Sequence, residues 1–100
     1  MPGDDSTLKE IESPTEIINI FPVPFDEVLR VEIENKNPAA RMFTIVMNEL
    51  SGNQVFRGHL FVNGNSVEQL SENMSSINAG FNVLFIYEDD QLIELILINK

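Results

Sequence analysis

Apolar and polar residues alternate along most of the chain after residue 16. Residues 28–34 show this most cleanly: Leu29, Val31 and Ile33 point one way, and Arg30, Glu32 and Glu34 the other. A period of two marks a strand with one covered face. Residues 41–48 repeat it, with Phe43, Ile45 and Met47 on one face. Residues 17–21 predict a first strand, stopped by Pro22-Val23-Pro24. Proline lacks an amide donor and biases its predecessor toward extended geometry. Residues 54–62 are again extended in character, and Asn63-Gly64-Asn65 after them is a hairpin signal. A short segment over 66–70 and a polar loop over 71–80 follow, the loop closing at Ala79-Gly80. Residues 81–87 and 92–98 are apolar on both faces apart from Asn82 and Glu94, with the acidic turn Glu88-Asp89-Asp90-Gln91 between them.

About seven short strands at regular spacing, with no helix of useful length, predict an all-β fold. The expected architecture is an immunoglobulin-like antiparallel β-sandwich spanning residues 16–100. Residues 1–15, polar and carrying Pro2, Gly3 and Pro14, read as a linker or chain end. Leu29, Val31, Ile33, Phe43, Ile45, Leu84 and Ile86 are the expected core. Asn35-Lys36-Asn37-Pro38 and Ser51-Gly52-Asn53 supply turns. Gly52 and Gly80 read as backbone devices, for turn geometry and close approach.

Composition narrows the function classes. The chain has 100 residues and a hydrophobic fraction of 43%, enough for one folded core and too much for a disordered segment. Its net charge of −10 argues against binding nucleic acid, whose phosphates need Lys and Arg, and against docking on anionic lipid. There is no cysteine, so disulfides and thiolate chemistry are excluded. The acidic N-terminus lacks the apolar stretch of a signal peptide, and no apolar run is long enough for a membrane helix. An exported form of this domain is therefore expected to take its leader from a longer precursor.

Candidate chemistry is sparse. His59 is the sole histidine and reads as an exposed strand residue, because neither a nucleophile nor a metal shell can be built around it. Glu32 and Glu34 share a strand face, but nothing sets their acidities apart, so they read as solvated. Glu88, Asp89 and Asp90 carry the hard oxygens that calcium takes, yet lack calcium-loop spacing and read as a solvated turn. No catalytic residue, metal or cofactor is assigned, and the reading is not that of an enzyme.

Three ordered blocks carry a resemblance. Ile20-Phe21-Pro22-Val23-Pro24-Phe25, leading into Val28-Leu29-Arg30-Val31, is the first. Met47-Asn48-Glu49-Leu50-Ser51-Gly52-Asn53-Gln54-Val55 is the second. Ile77-Asn78-Ala79-Gly80-Phe81-Asn82-Val83-Leu84, with residues 95–100, is the third. Together they resemble the C-terminal sorting domain of the type IX secretion system (type A, the Por secretion tail family) of Bacteroidetes. Val23 stands where that family usually has Asn, and Asn82 where it usually has Tyr.

The resemblance implies a domain joined to an upstream cargo that has crossed the inner membrane. Outer-membrane secretion components recognise it, and a sortase-like protease removes it or anchors the cargo at the cell surface. The expected location is secreted or cell-surface, by way of the periplasm and outer membrane. Pro22, Pro24, Gly52, Gly80, Leu95, Leu97 and Lys100 are the recognition candidates. Lys100 reads as a terminal charge whose replacement leaves packing nearly untouched. The last strand, apolar on both faces, reads either as a central strand covered on both sides or as a docking surface. Self-association through these apolar strands is a further expectation. A structural immunoglobulin-like accessory or adhesion module, holding a neighbouring domain or gripping carbohydrate, is the alternative reading.

Overall fold

The computed structural model describes residues 15–21 and 27–100. Its strands are β1 (Glu16–Phe21), β2 (Val28–Asn35), β3 (Arg41–Glu49), β4 (Gln54–Val62), β5 (Ser66–Asn73), β6 (Phe81–Glu88) and β7 (Gln91–Asn99). There is no helix among the described residues. The strands form two antiparallel sheets arranged as a sandwich, one in the order β1-β2-β5 and one in the order β4-β3-β6-β7. The all-β sandwich expected from the alternation is thus the fold. Pro22, Val23 and Pro24, and residues 1–14 of the linker read over 1–15, lie outside the described residues.

The core sits between the sheets and takes every second residue of the inner strands. β2 supplies Leu29, Val31 and Ile33, β3 supplies Phe43, Ile45 and Met47, and β6 supplies Leu84 and Ile86. Leu60, Val62, Met74 and Ile98 complete the cluster. All seven residues expected in the core are buried. Fully burying a side chain of this kind is worth about 1.5–3 kcal/mol, so this one cluster dominates the stability of the fold. β1 contributes Ile18 and Ile20, half-buried opposite Ile33 and Val31.

Two turns follow their sequence signals. Gly52 adopts φ 97°, and the amide of Glu49 donates to the carbonyl of Asn53 at 2.8 Å, closing the β3–β4 hairpin. Asp89 adopts φ 55° in the tight turn joining β6 to β7. Aspartate tolerates that left-handed region better than most residues.

Asn63-Gly64-Asn65 does not make the hairpin that its composition suggests. β4 pairs with β3, whereas β5 pairs with β2 in the other sheet, so this segment is a corner where the chain changes sheets. Its chemistry serves close approach instead. A Cβ on Gly64 would collide with the carbonyl of Pro38. The amide of Asn65, at φ 54°, donates to the carbonyl of Asn37 at 3.0 Å. The strand beyond the corner also runs further than expected, to Asn73, because Ser71, Glu72 and Asn73 pair with Arg30, Leu29 and Val28.

The last strand is not central. β7 lies at the edge of the four-stranded sheet and pairs only with β6 among the described residues. Both its faces are apolar because Leu95-Ile96-Leu97-Ile98 is an unbroken apolar run whose successive side chains point to opposite sides. The register shifts beside Ile86 and Tyr87, which pair with Glu94 and Leu92, leaving Ile93 as an extra residue. That bulge changes the phase of the strand. Ile93, Ile96 and Ile98 pack on the core, while Leu92, Leu95 and Leu97 stay exposed.

Candidate functional site

The outer face of the four-stranded sheet carries side chains in three cross-strand rows. His59, Thr44, Tyr87 and Leu92 form one row across β4, β3, β6 and β7. Arg57, Val46, Phe85 and Leu95 form the next, and Gln54, Asn48, Val83 and Leu97 the third. These three rows grade from polar at β4, through aromatic at β6, to aliphatic at β7, while exposed Phe61 and Met42 pair beyond them at the far end of β4 and β3.

The aliphatic end is the more exposed. Leu95 is 54% and Leu97 58% accessible, and Phe81 at the start of β6 is 53% accessible. Leu92 is exposed as well. A contiguous apolar strip on an edge strand is a surface that a partner can cover. Leu95 and Leu97, two of the recognition candidates, thus lie side by side in the open.

The polar end forms a groove of about 500 Å³. Thr44, Val46 and Asn48 on β3 are short and make its floor, because the strands on either side carry longer groups. Gln54, Arg57 and His59 rise from β4, and Phe85 and Tyr87 from β6. Asp89 and Asp90 of the β6–β7 turn close one end. The hydroxyl of Thr44 and Nδ1 of His59 lie 3.1 Å apart, fixing the ring across the two strands. The Oδ1 of Asn48 is buried with no hydrogen-bond partner among the described residues.

Gly80 and Lys100 meet at the end of the sheet where Gly52 also lies. Gly80, at φ 129°, exchanges two backbone hydrogen bonds with Lys100, at 2.9 and 3.2 Å. The Lys100 ammonium donates to the carbonyls of Met74, at 2.7 Å, and Ile77. It is a clamp on the loop before β6 and not a free terminal charge, contrary to the expectation that replacing it leaves packing untouched. Gly52 sits in an exposed turn with open space around it. Asn82, where the resembled family usually has Tyr, is 2% exposed and lies opposite Ile98.

The opposite end holds a polar cluster that no local sequence signal announces. Arg41 Nε donates to Glu88 at 2.9 Å, and its Nη2 reaches both Glu88 and Glu16, the latter at 3.0 Å. Its side chain is 8% exposed. The Arg41 hydrogen bond, followed by its charge, holds the Glu88 carboxyl below the usual glutamate range despite partial burial. Glu88 is therefore not part of the solvated turn, although Asp89 and Asp90 are exposed. Asn35, fully buried, donates to the carbonyls of Ala39 at 2.9 Å, Asn63 at 3.2 Å and Val62 at 3.3 Å. These bonds fasten β2 to the sheet-changing corner.

No family model matches the chain, and no curated protein matches it. Among solved structures, it is similar to part of a β-glucosidase from Listeria innocua in complex with glucose. The TM-score is 0.54 at 6% identity, covering 84% of this chain and 16% of that one. DesR, a β-glucosidase from Streptomyces venezuelae in complex with D-glucose, gives a TM-score of 0.47 at 10% identity, covering 85% of this chain and 14% of that one. The chain thus spans a small part of either enzyme's length, and the likeness to the first shows the β-sandwich fold alone.

Proposed function

We propose that this domain is a sorting and recognition module of the type IX secretion kind, read by a partner protein through β7 and the outer face beside it. One observation carries the reading: an edge strand presents Leu92, Leu95 and Leu97 in the open, next to exposed Phe81. An edge strand offers unpaired backbone groups, and its apolar side chains add area for a docked strand or sheet. The bulge at Ile93 and the charge of Glu94 blunt the start of this edge, whereas Leu95 to Ile98 pair regularly and carry no such device. The three sequence blocks support the same reading. Outer-membrane secretion components, a sortase-like protease and an upstream cargo are the partners it entails. The test is export of a periplasmic reporter fused to residues 16–100, compared with the same fusion carrying Leu95→Ser and Leu97→Ser.

The groove beside this strip favours a second reading, an accessory or adhesion module of a secreted multidomain protein. A reporter that stays periplasmic while the domain holds a ligand or neighbouring domain in vitro would favour it.

A further inference from the structure

The groove over β3 has no part in the docking strip, and its chemistry is different. β3 is flanked by β4 and β6, so the backbone groups of its floor are already engaged in the ladder. A peptide strand cannot add there, and recognition must come from side chains. The backbones of β4 and β6 stand about 10 Å apart, twice the usual strand spacing. The groove volume of about 500 Å³ falls within the range of ligand clefts, about 300–1,000 Å³.

The lining decides the ligand class. Asp89 and Asp90 repel an anion, and Arg57 disfavours a cation. In a chain of net charge −10 the groove is close to balanced, with two carboxylates, one guanidinium and one imidazole. A purely apolar ligand would strip water from Gln54 and Arg57 and return no hydrogen bonds. Arg57 and the Gln54 amide call for acceptors, while the Gln54 carbonyl oxygen and the carboxylates of Asp89 and Asp90 call for donors. A sugar hydroxyl is both. The Phe85 and Tyr87 rings on the β6 side supply apolar surface for the C–H face of a pyranose, with the Tyr87 hydroxyl as a polar tip.

We propose that the groove formed by Asn48, Gln54, Arg57, Phe85 and Tyr87 is a binding site for a neutral oligosaccharide of hexopyranose units. The site stands apart from the export reading, since that reading uses Phe81, Leu92, Leu95 and Leu97, none of which lines the groove.

Tyr87 is the only tyrosine and the chain has no tryptophan, so intrinsic tyrosine emission reports on this groove. Titration of the intact chain with maltohexaose, cellohexaose and laminarihexaose is the test, with an oligogalacturonate as the anionic control. At least one neutral probe should change Tyr87 emission saturably, with a Kd of about 1 mM or tighter. The double variant Arg57→Ala/Gln54→Ala should weaken that binding about tenfold, a loss of about 1.4 kcal/mol. Both residues are exposed, so the variant keeps its fold. Glu68→Ala on β5, in the other sheet, should bind as the parent does. The proposal is overturned by no saturable change up to about 10 mM with any neutral probe. Undiminished binding by the double variant, or binding of the anionic probe alone, overturns it equally.

Discussion

Arg41 on β3 and Glu88 on β6 face each other in a two-pronged ion pair, with Arg41 Nε 2.9 Å from Glu88 Oε2. The same guanidinium reaches Glu16 on β1, so one side chain ties the three-stranded sheet to the four-stranded one. Removing Arg41 leaves two partly buried carboxylates without their counter-charge. Glu16 and Glu88 keep partial access to water, so Arg41→Ala should lose about 1–2 kcal/mol in urea unfolding. The Glu88 carboxyl is held below its unfolded value by Arg41, so its stabilisation is present above that value. It is lost as pH falls through the lower, folded value. Stability should therefore drop below about pH 4.3, and Glu88→Gln should flatten that part of the profile. An unchanged acid limb in Glu88→Gln would refute the assignment.

The corner between the sheets makes a separate prediction. Gly64→Ala sets a methyl group against the Pro38 carbonyl, which is backbone and yields poorly. A loss of about 2–3 kcal/mol is expected. Asn35→Ala removes the donor shared by Ala39, Val62 and Asn63 and should cost about 3 kcal/mol. Equilibrium unfolding of both variants checks this, and losses below 1 kcal/mol, about the net worth of one ordinary hydrogen bond, would contradict it.

Lys100→Met keeps the aliphatic stem but takes the donor from the carbonyls of Met74 and Ile77. It should lower stability by about 1–2 kcal/mol. Hydrogen exchange should quicken at Ile77 and Gly80, whose amides donate to Met74 and Lys100. Exchange there as slow as in the parent would show that the ammonium does not hold the loop.

How much of this was legible beforehand depends on how local the cause is. Leu29, Val31 and Ile33 declared their face through plain alternation, and Gly52 declared its turn. The corner at Gly64 did not, because Asn-Gly chemistry suits both a hairpin and a close backbone approach, and only Pro38 decides between them. Ser71, Glu72 and Asn73 looked like loop because a strand can be held by backbone pairing alone. The edge position of β7 was hidden because Leu95-Ile96-Leu97-Ile98 is apolar at every position, so alternation could not tell an edge strand from one covered on both sides. Arg41 and Glu88 are 47 positions apart, beyond any pattern in a single sequence. The groove likewise depends on which strands flank β3, and residue order alone does not reveal that.

Exposed Leu95 and Leu97 on an edge strand predict self-association opposed by charge. Each copy carries −10, so two copies repel at low salt. Light scattering should show a concentration-dependent dimer that strengthens with added salt. Leu95→Ser/Leu97→Ser should abolish it with little loss of stability, since both side chains are already exposed. A monomer at every salt and concentration would remove the strip as a self-pairing surface.

The most direct measurement is export itself. Residues 16–100 are fused to a folded periplasmic reporter in a bacterium that possesses type IX secretion. Surface-exposed reporter is counted against the periplasmic pool. The account predicts that the intact fusion reaches the cell surface. Leu95→Ser/Leu97→Ser should leave the reporter folded, intact and periplasmic. Retention of the intact fusion, in a strain that exports a standard sorting-domain control, would contradict the account. So would equal export of the double variant.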